Sequence, residues 1–287
     1  MIKLSVVLAT QNEEENIGAC LDSVKSIADE IVVVDENSTD KTSDLAESFG
    51  AKVYKEPHHP LFHITKQIAL EKATGEWILQ LDADERVTED LSKEIMEVIN
   101  MAKKDLQKYQ DQLTNRKLFL RHQKIIEKRD GEIGNENGEI VAFFIPRLNY
   151  FLGKYLKHGG VYPDGVIRLV KNGKAKFPCN SVHEQIEVEG KVGWLNNDLI
   201  HMADPTFTRY LQRNSRYIDL FVGEMEKKRT GKSPLQIINY FFVMPLYWFF
   251  LTQIRHKGIF DGWQGVVFSF FSALRFPRAY WRYLRKR

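Results

Sequence analysis

Leu4 to Ala9 is an unbroken apolar run, and Ile17, Cys20, Leu21, Val24 and Ile27 then return at the spacing of one helix face. Asn12 is placed to cap that helix, with Glu13, Glu14 and Glu15 in the first turn where the helix dipole favours acids. Ile31 to Val34 reads as a second strand and is bounded by the polar run Asp35 to Asp40. A second helix runs to Phe49 and closes at Gly50, and Ala51 to Tyr54 is a short third strand. A helix from about His63 to Ala73 leads through Thr74-Gly75 into a fourth strand, Glu76 to Leu81. Strands alternating with helices of this length predict right-handed crossovers and a parallel sheet. Ligands of such sheets sit beyond the carboxyl ends of the strands. The polar clusters Thr10-Gln-Asn-Glu13, Asp35-Glu36 and Asp82-Ala-Asp-Glu85 stand at those ends.

The pattern changes after Thr88. Leu91, Ile95, Val98 and Ile99 start a helix, but from Lys103 to Arg129 the helical stretches are mostly polar, and Asp130 to Gly138 is a loop. A solvated helical hairpin is one reading of this insertion at about 101–140, and an acceptor-side or partner-binding element is the other. Leu235 to Ile254 then holds no formal charge. Such a helix would rise about 30 Å, close to the thickness of a bilayer's hydrocarbon. Pro245 interrupts it and basic residues flank both ends, so spanning and surface docking both stay open. Trp263, Val266, Val267, Phe270, Phe271 and Leu274 share a helical face, and Arg275 to Arg287 carries six basic residues and no acid. That tail predicts an interfacial helix on anionic lipid, with packing on the rest of the protein or a second subunit as the alternative.

Charge sharpens this division. Residues 1–100 hold 9 Lys+Arg and 21 Asp+Glu, leaving 32 basic and 17 acidic of the chain's 41 and 38 to the remainder. An acidic front and a basic, aromatic back predict two surfaces with different partners. No nucleic-acid reading motif accompanies the basic residues, which disfavours nucleic acid. Cys20 and Cys179 are too few for a disulfide scaffold and read as plain thiols in a reducing compartment. The N-terminal apolar run is followed by Gln11-Asn-Glu-Glu-Glu and reads as a strand, not a signal peptide.

The candidate chemistry is that of a phosphate-bearing donor. No Gly-x-Gly-x-x-Gly follows the first strand and no Walker sequence is present, which disfavours dinucleotide and P-loop sites. Asp82 and Asp84 alternate along a segment read as extended, so both carboxylates would face one side. Two hard oxygen donors suit Mg²⁺ or Mn²⁺ carrying a diphosphate.

Leu4-Ser-Val-Val-Leu-Ala-Thr-Gln-Asn-Glu-Glu-Glu-Asn-Ile17, Ile31-Val-Val-Val-Asp-Glu-Asn-Ser-Thr-Asp40 and Ala73-Thr-Gly-Glu-Trp-Ile-Leu-Gln-Leu-Asp-Ala-Asp-Glu-Arg86 resemble family 2 glycosyltransferases of the GT-A fold. Ile145 to Gly153, His158 to Asp164, Ile167-Arg-Leu169, Val182-His-Glu184 and Gly258 to Gly262 are similar to the branch containing lipopolysaccharide core β-1,4-glucosyltransferases. The resemblance implies an α/β GT-A (Rossmann-like) fold with a mixed, mainly parallel sheet flanked by helices and an amphipathic helical C-terminal extension. Residues 1–230 would be the catalytic domain and 231–287 a membrane-association region. The implied activity is inverting, metal-dependent transfer from a nucleotide sugar, a UDP-sugar, to a hydroxyl of a lipid-linked saccharide. Asp35, Thr10 and Glu13 would hold the nucleotide, Lys66 the base or diphosphate, Asp82 the ribose or a metal-bound water, and Asp84 the metal, with His201 as a further ligand or a satisfied buried histidine. Glu184 would be the base that deprotonates the acceptor, Asp164 the second candidate, and His183 an orienting group. The implied place is the cytoplasmic face of the inner membrane, and homo-oligomers stay open. Transfer to a polyprenyl phosphate and a non-catalytic scaffold are the competing readings.

Overall fold

Strands β1 (Leu4–Thr10), β2 (Glu30–Asp35), β3 (Lys52–Lys55) and β4 (Trp77–Leu81) lie parallel in the order β3-β2-β1-β4, joined by helices α1 (Ile17–Val24), α2 (Thr42–Ser48) and α3 (Phe62–Lys72). They belong to a computed structural model that describes residues 3–135, 137–179 and 185–286. Strands β1, β2 and β4 are buried along their whole length because both faces are covered, whereas the edge strand β3 has exposed ends at Lys52 and Lys55. Leu4, Val6, Leu8, Val33, Leu79 and Leu81 enter one core with α1, while Val7, Val32, Val34 and Ile78 enter the other with Ala69 and Leu70 of α3. Each such Val, Leu or Ile side chain, fully buried, stabilises the fold by about 1.5–3 kcal/mol. Helix α1 begins later than an Asn12 cap predicts. Asn12 takes a left-handed backbone (φ 53°), and its side-chain oxygen accepts a bond from the Thr39 amide at 2.8 Å.

Beyond β4 the sheet turns antiparallel. After β5 (Glu85–Val87) come α4 (Glu89–Val98), α5 (Lys103–Asp111), α6 (Arg116–Asp130) and the long β6 (Ile140–Phe151). Strand β7 (Lys154–Tyr155) folds back on the end of β6, and β8 (Asp164–Lys171) inserts between β4 and β6, antiparallel to both. A short ribbon, β9 (Ala175–Lys176) with β10 (Glu187–Val188), precedes β11 (Lys191–Trp194), which pairs with β6, and β12 (Leu199–Asp204), which pairs with β5. The insertion is not merely solvated. Phe119 and Ile126 of α6 are buried, and the Phe119 ring stacks on Trp194, which stacks in turn on Phe144. Gly165 makes room for this stack, since a Cβ there would run into the Trp194 ring.

The chain divides into two compact units, Met1–Arg147 with Pro163–His201, and Leu148–Tyr162 with Met202–Arg287. The division therefore falls well before residue 230. Its cause lies within the second unit, where α7 (Phe207–Lys227) packs Ile218, Val222 and Met225 against Ala279 and Tyr280. These last two belong to α11 (Arg275–Arg285), which follows α8 (Pro234–Ile238), α9 (Met244–Phe250) and α10 (Gly262–Ala273). Pro245 does not break the helix: Pro234–Arg255 runs on through π-helical turns at Asn239–Val243 and Leu251–Arg255. Proline is tolerated there because it falls in the first turn of α9, where the wider turn before it relaxes the ladder.

Candidate active site

At the ends of β1 and β2, Asp35 is fully buried and its carboxylate accepts four bonds. The Thr10 hydroxyl donates at 3.1 Å, the Ser38 hydroxyl at 2.5 Å, the Ser38 amide at 2.9 Å and the Ser43 hydroxyl at 3.0 Å. These four bonds tie Asp35 into the loop that follows β2. Thr10, itself buried, is spent on Asp35. Glu13 anchors the start of the next helix: its carbonyl accepts from the Asn16 and Ile17 amides and its carboxylate from the Asn16 side chain. The neighbouring Glu36 is buried and bonded to the Thr65 hydroxyl and to His58 Nδ1 at 2.7 Å.

The end of β4 is where charge concentrates. Strand β4 stops at Leu81, and Asp82 to Glu85 is a turn closed by the Glu85 amide donating to the Asp82 carbonyl at 2.9 Å. The two aspartates therefore do not project alike, contrary to the extended reading. Asp82 pairs with Lys66 at 2.6 Å and with Arg168 at 2.5 Å. Asp84 lies 3.6 Å from His201 Nε2. His201 gets there because β12 pairs antiparallel with β5 and sets it opposite Glu85. Lys66 is buried, not a solvated helix lysine, and its ammonium points to the strand end.

Three further residues, Glu85, Arg147 and Arg168, complete the cluster, and no sequence motif assigns them a role. Glu85 is wholly buried and accepts from the Asp82 amide at 2.9 Å, from Arg168 at 2.8 Å and from Arg147 at 3.3 Å. Arg147 also pairs with Asp164 at 2.7 Å. Lys66, Arg147 and Arg168 thus balance Asp82, Glu85 and Asp164, as buried charges must be balanced. Burial opposes the charged form of Asp82, but Arg168 and Lys66 outweigh it and hold the carboxyl well below the usual range. The same pairing keeps Arg168 protonated against its own burial. One signal was available: Arg147 and Arg168 sit within apolar strands, where an unpaired arginine is not tolerated.

As a metal site this geometry offers two donors from the chain, Asp84 and His201, and not three. Both Asp82 oxygens are engaged by cations, so Asp82 does not join them, and no group of three or more His, Cys, Asp or Glu that could hold an ion occurs among the described residues. Two donors fit Mg²⁺ or Mn²⁺ when a bound diphosphate and water provide the rest. Asp164, the second base candidate, is held by Arg147. Nearby, His122 accepts from the Gly165 amide at 3.2 Å, and burial lowers its pKa against the pull of Asp164. Glu184 and His183 lie outside the described residues. Cys20 is buried, which pushes its thiol up, and both cysteines are free thiols.

The sequence profile of glycosyl transferase family 2 matches residues 5–158, which include Thr10, Asp35, Lys66 and Asp82 to Glu85 but not Asp164, Arg168 or His201. The chain belongs to that family. A lipopolysaccharide core biosynthesis glycosyltransferase, LpsC of Rhizobium meliloti, is 25% identical over 288 residues, covering 96% of this chain and 92% of the relative. An uncharacterized glycosyltransferase of Rickettsia bellii is 45% identical over 94 residues, 32% of this chain. The match spans only about a third of that relative's length, 31%. Among solved structures, glucosyl-3-phosphoglycerate synthase from Mycobacterium tuberculosis, in complex with Mn²⁺ and UDP-glucose, is 29% identical with a TM-score of 0.27, covering 30% of this chain and 34% of its own.

Proposed function

We propose that the protein is an inverting glycosyltransferase that moves a sugar from a UDP-sugar to a hydroxyl of a lipid-linked saccharide of the cell envelope. The observation that carries the reading is the strand-end cluster, in which Lys66 and Arg168 neutralise Asp82 while Asp84 and His201 stand together as a metal-type donor pair. A divalent ion held there, with the diphosphate completing its shell, would offset the charge that grows on the leaving group. Thr10, Asp35 and Glu13 form the wall of the nucleotide site, the first two by fixing the loop after β2 and Glu13 by starting α1. Lys66 keeps Asp82 ionised and adds positive charge where a diphosphate would lie. Glu184 takes the proton of the acceptor hydroxyl as it attacks the anomeric carbon, with Asp164 as the second candidate. A single displacement inverts that carbon and forms no covalent sugar-enzyme species.

The full-length likeness to a lipopolysaccharide core enzyme supports the acceptor class. Membrane association is supported by the second unit. Leu235, Ile238, Phe242, Leu246, Phe250 and Ile254 recur every three or four residues along Pro234–Arg255 and are each more than half exposed. The opposite side of that helix packs inward: Tyr240 stacks on Tyr280, and Trp248 donates to the Ser272 hydroxyl at 2.9 Å. A helix apolar on both sides, with one side open, suits a lipid surface. The protein would act at the cytoplasmic face of the inner membrane.

Glu184→Gln separates the two acceptor chemistries. With a hydroxyl acceptor it is expected to lower kcat by roughly 10²–10⁴ while leaving donor binding unchanged in equilibrium titrations. Near-wild-type turnover in that variant would favour an acceptor that is already anionic, a polyprenyl phosphate.

A further inference from the structure

Asp261 is a buried carboxylate of the second unit that the proposed chemistry does not use. One of its oxygens accepts from the His158 amide at 2.8 Å, and the other from the Lys157 amide at 3.3 Å and His158 Nδ1 at 2.9 Å. Because the carboxylate accepts, Nδ1 donates to it, and in the imidazolium form that pairs with Asp261 the Nε2–H of the partly exposed ring is the donor left for an anion. Two segments are locked together here: the Gly159 amide also donates to the His256 carbonyl at 2.8 Å, and Gly160 sits against the His256 ring. The Lys154 ammonium comes within 3.6 Å of where a Cβ on Gly262 would be. Residues 152–162 and 251–263 hold Lys154, Lys157, Arg255 and Lys257 against the single acid Asp261. Among the described residues none of these four cations has a carboxylate within ion-pair distance, whereas the one acid already accepts from the His158 side chain and the two amides.

The same turn carries Ile254, Ile259, Phe260 and Trp263, each at least 60% exposed. Unneutralised cations bordering open aromatic and aliphatic side chains are the arrangement that recognises a phosphate at a lipid–water boundary. The C-terminal tail, to which its sequence gives the anionic-lipid role, is largely committed elsewhere. Arg278 bonds Asn214, Arg282 pairs with Asp219, Lys286 pairs with Glu226, and Arg275 lies over the Trp248 ring. We infer that His158, Lys154, Lys157 and Lys257 form a binding site for the phosphate of an anionic membrane lipid. This rests on the membrane-docking part of the proposed function.

Flotation of the full chain with vesicles tests both separately. Binding to neutral phosphatidylcholine vesicles reads docking of the apolar face, and the gain on adding phosphatidylglycerol reads the site. The double variant Lys154→Gln/Lys257→Gln is expected to cut that gain by at least five-fold, from roughly five-fold per basic residue at the surface, without changing neutral-vesicle binding. His158→Gln, which removes the imidazole but no formal lysine charge, is expected to cut it by a smaller factor. The charge-matched control Lys124→Gln/Lys128→Gln, on α6, is expected to leave the gain unchanged. Equal losses in site and control variants, or an undiminished gain in the site variants, would overturn the inference. So would abolition of the gain by millimolar inorganic phosphate at constant ionic strength, which would make free phosphate the ligand. Failure to bind neutral vesicles alone would sink the docking and leave the phosphate site standing.

Discussion

Arg168 reaches Gln80, Asp82 and Glu85 from one guanidinium, and so ties the turn after β4 to β8. Its loss would leave Glu85 buried with only Arg147 and an amide, and Asp82 with Lys66. Removing one partner of buried pairs typically costs about 3–5 kcal/mol. Arg168→Met is therefore expected to lose about that much at pH 7 in urea unfolding. The deficit has a pH signature. Asp82 has a folded-state pKa depressed below its ordinary value of 3.8, so its share of the stability is complete above that value and fades as pH falls through the lower folded one. The gap between variant and wild type is accordingly expected to narrow below about pH 4, and a gap that is constant with pH would argue that Arg168 acts through packing alone. At this scale the sequence was half legible. Lys66, Asp82, Asp84 and His201 were all picked out, and the structure gathers them at one strand end. What could not be seen was which carboxylate takes which partner, because that depends on the strand stopping at Leu81 and on the cross-strand placement of His201.

Among the elements, the parallel strands were plain from their apolar runs, since burial on both faces leaves no alternation to misread. Helices α5 and α6 were harder. Only Leu106 and Gln110 of α5, and Phe119 and Ile126 of α6, are buried, a stripe too narrow to stand out among charged residues. The stripe still matters, because Phe119 and Trp194 stack 4.7 Å apart at the junction of α6 with the sheet. Phe119→Ala is expected to cost about 3–5 kcal/mol in denaturant unfolding, against under about 0.5 kcal/mol for an outward polar change such as Lys124→Gln. Equal effects would mean that α6 is not anchored there. The Pro234–Arg255 helix differs from expectation for a local reason, the π-helical turns that carry it past Pro245, and these leave no mark in composition.

Across the whole molecule, the charge division seen in the sequence takes on a different meaning. The acidic first hundred residues contain the carboxylates of the strand-end site, but Asp82 and Glu85 are neutralised by Arg147 and Arg168, which come from the basic remainder. Arg278, Arg282 and Lys286 of the tail bond α7 inside the second unit, whereas Lys154, Lys157, Arg255 and Lys257 at the His158 turn have no carboxylate partner among the described residues. Net charge by segment was thus legible, and its pairing was not, because pairing is a property of the fold. The central proposal is that Asp84 and the ion it would hold with His201 drive sugar transfer from a nucleotide diphosphate. Turnover of a matched UDP-sugar and acceptor, titrated with Mn²⁺ in wild type and in Asp84→Asn, tests it most directly. The wild type is expected to show saturable, metal-dependent transfer that chelation abolishes, and Asp84→Asn to lose at least roughly 100-fold of it. Full metal-dependent turnover in Asp84→Asn would contradict the proposal.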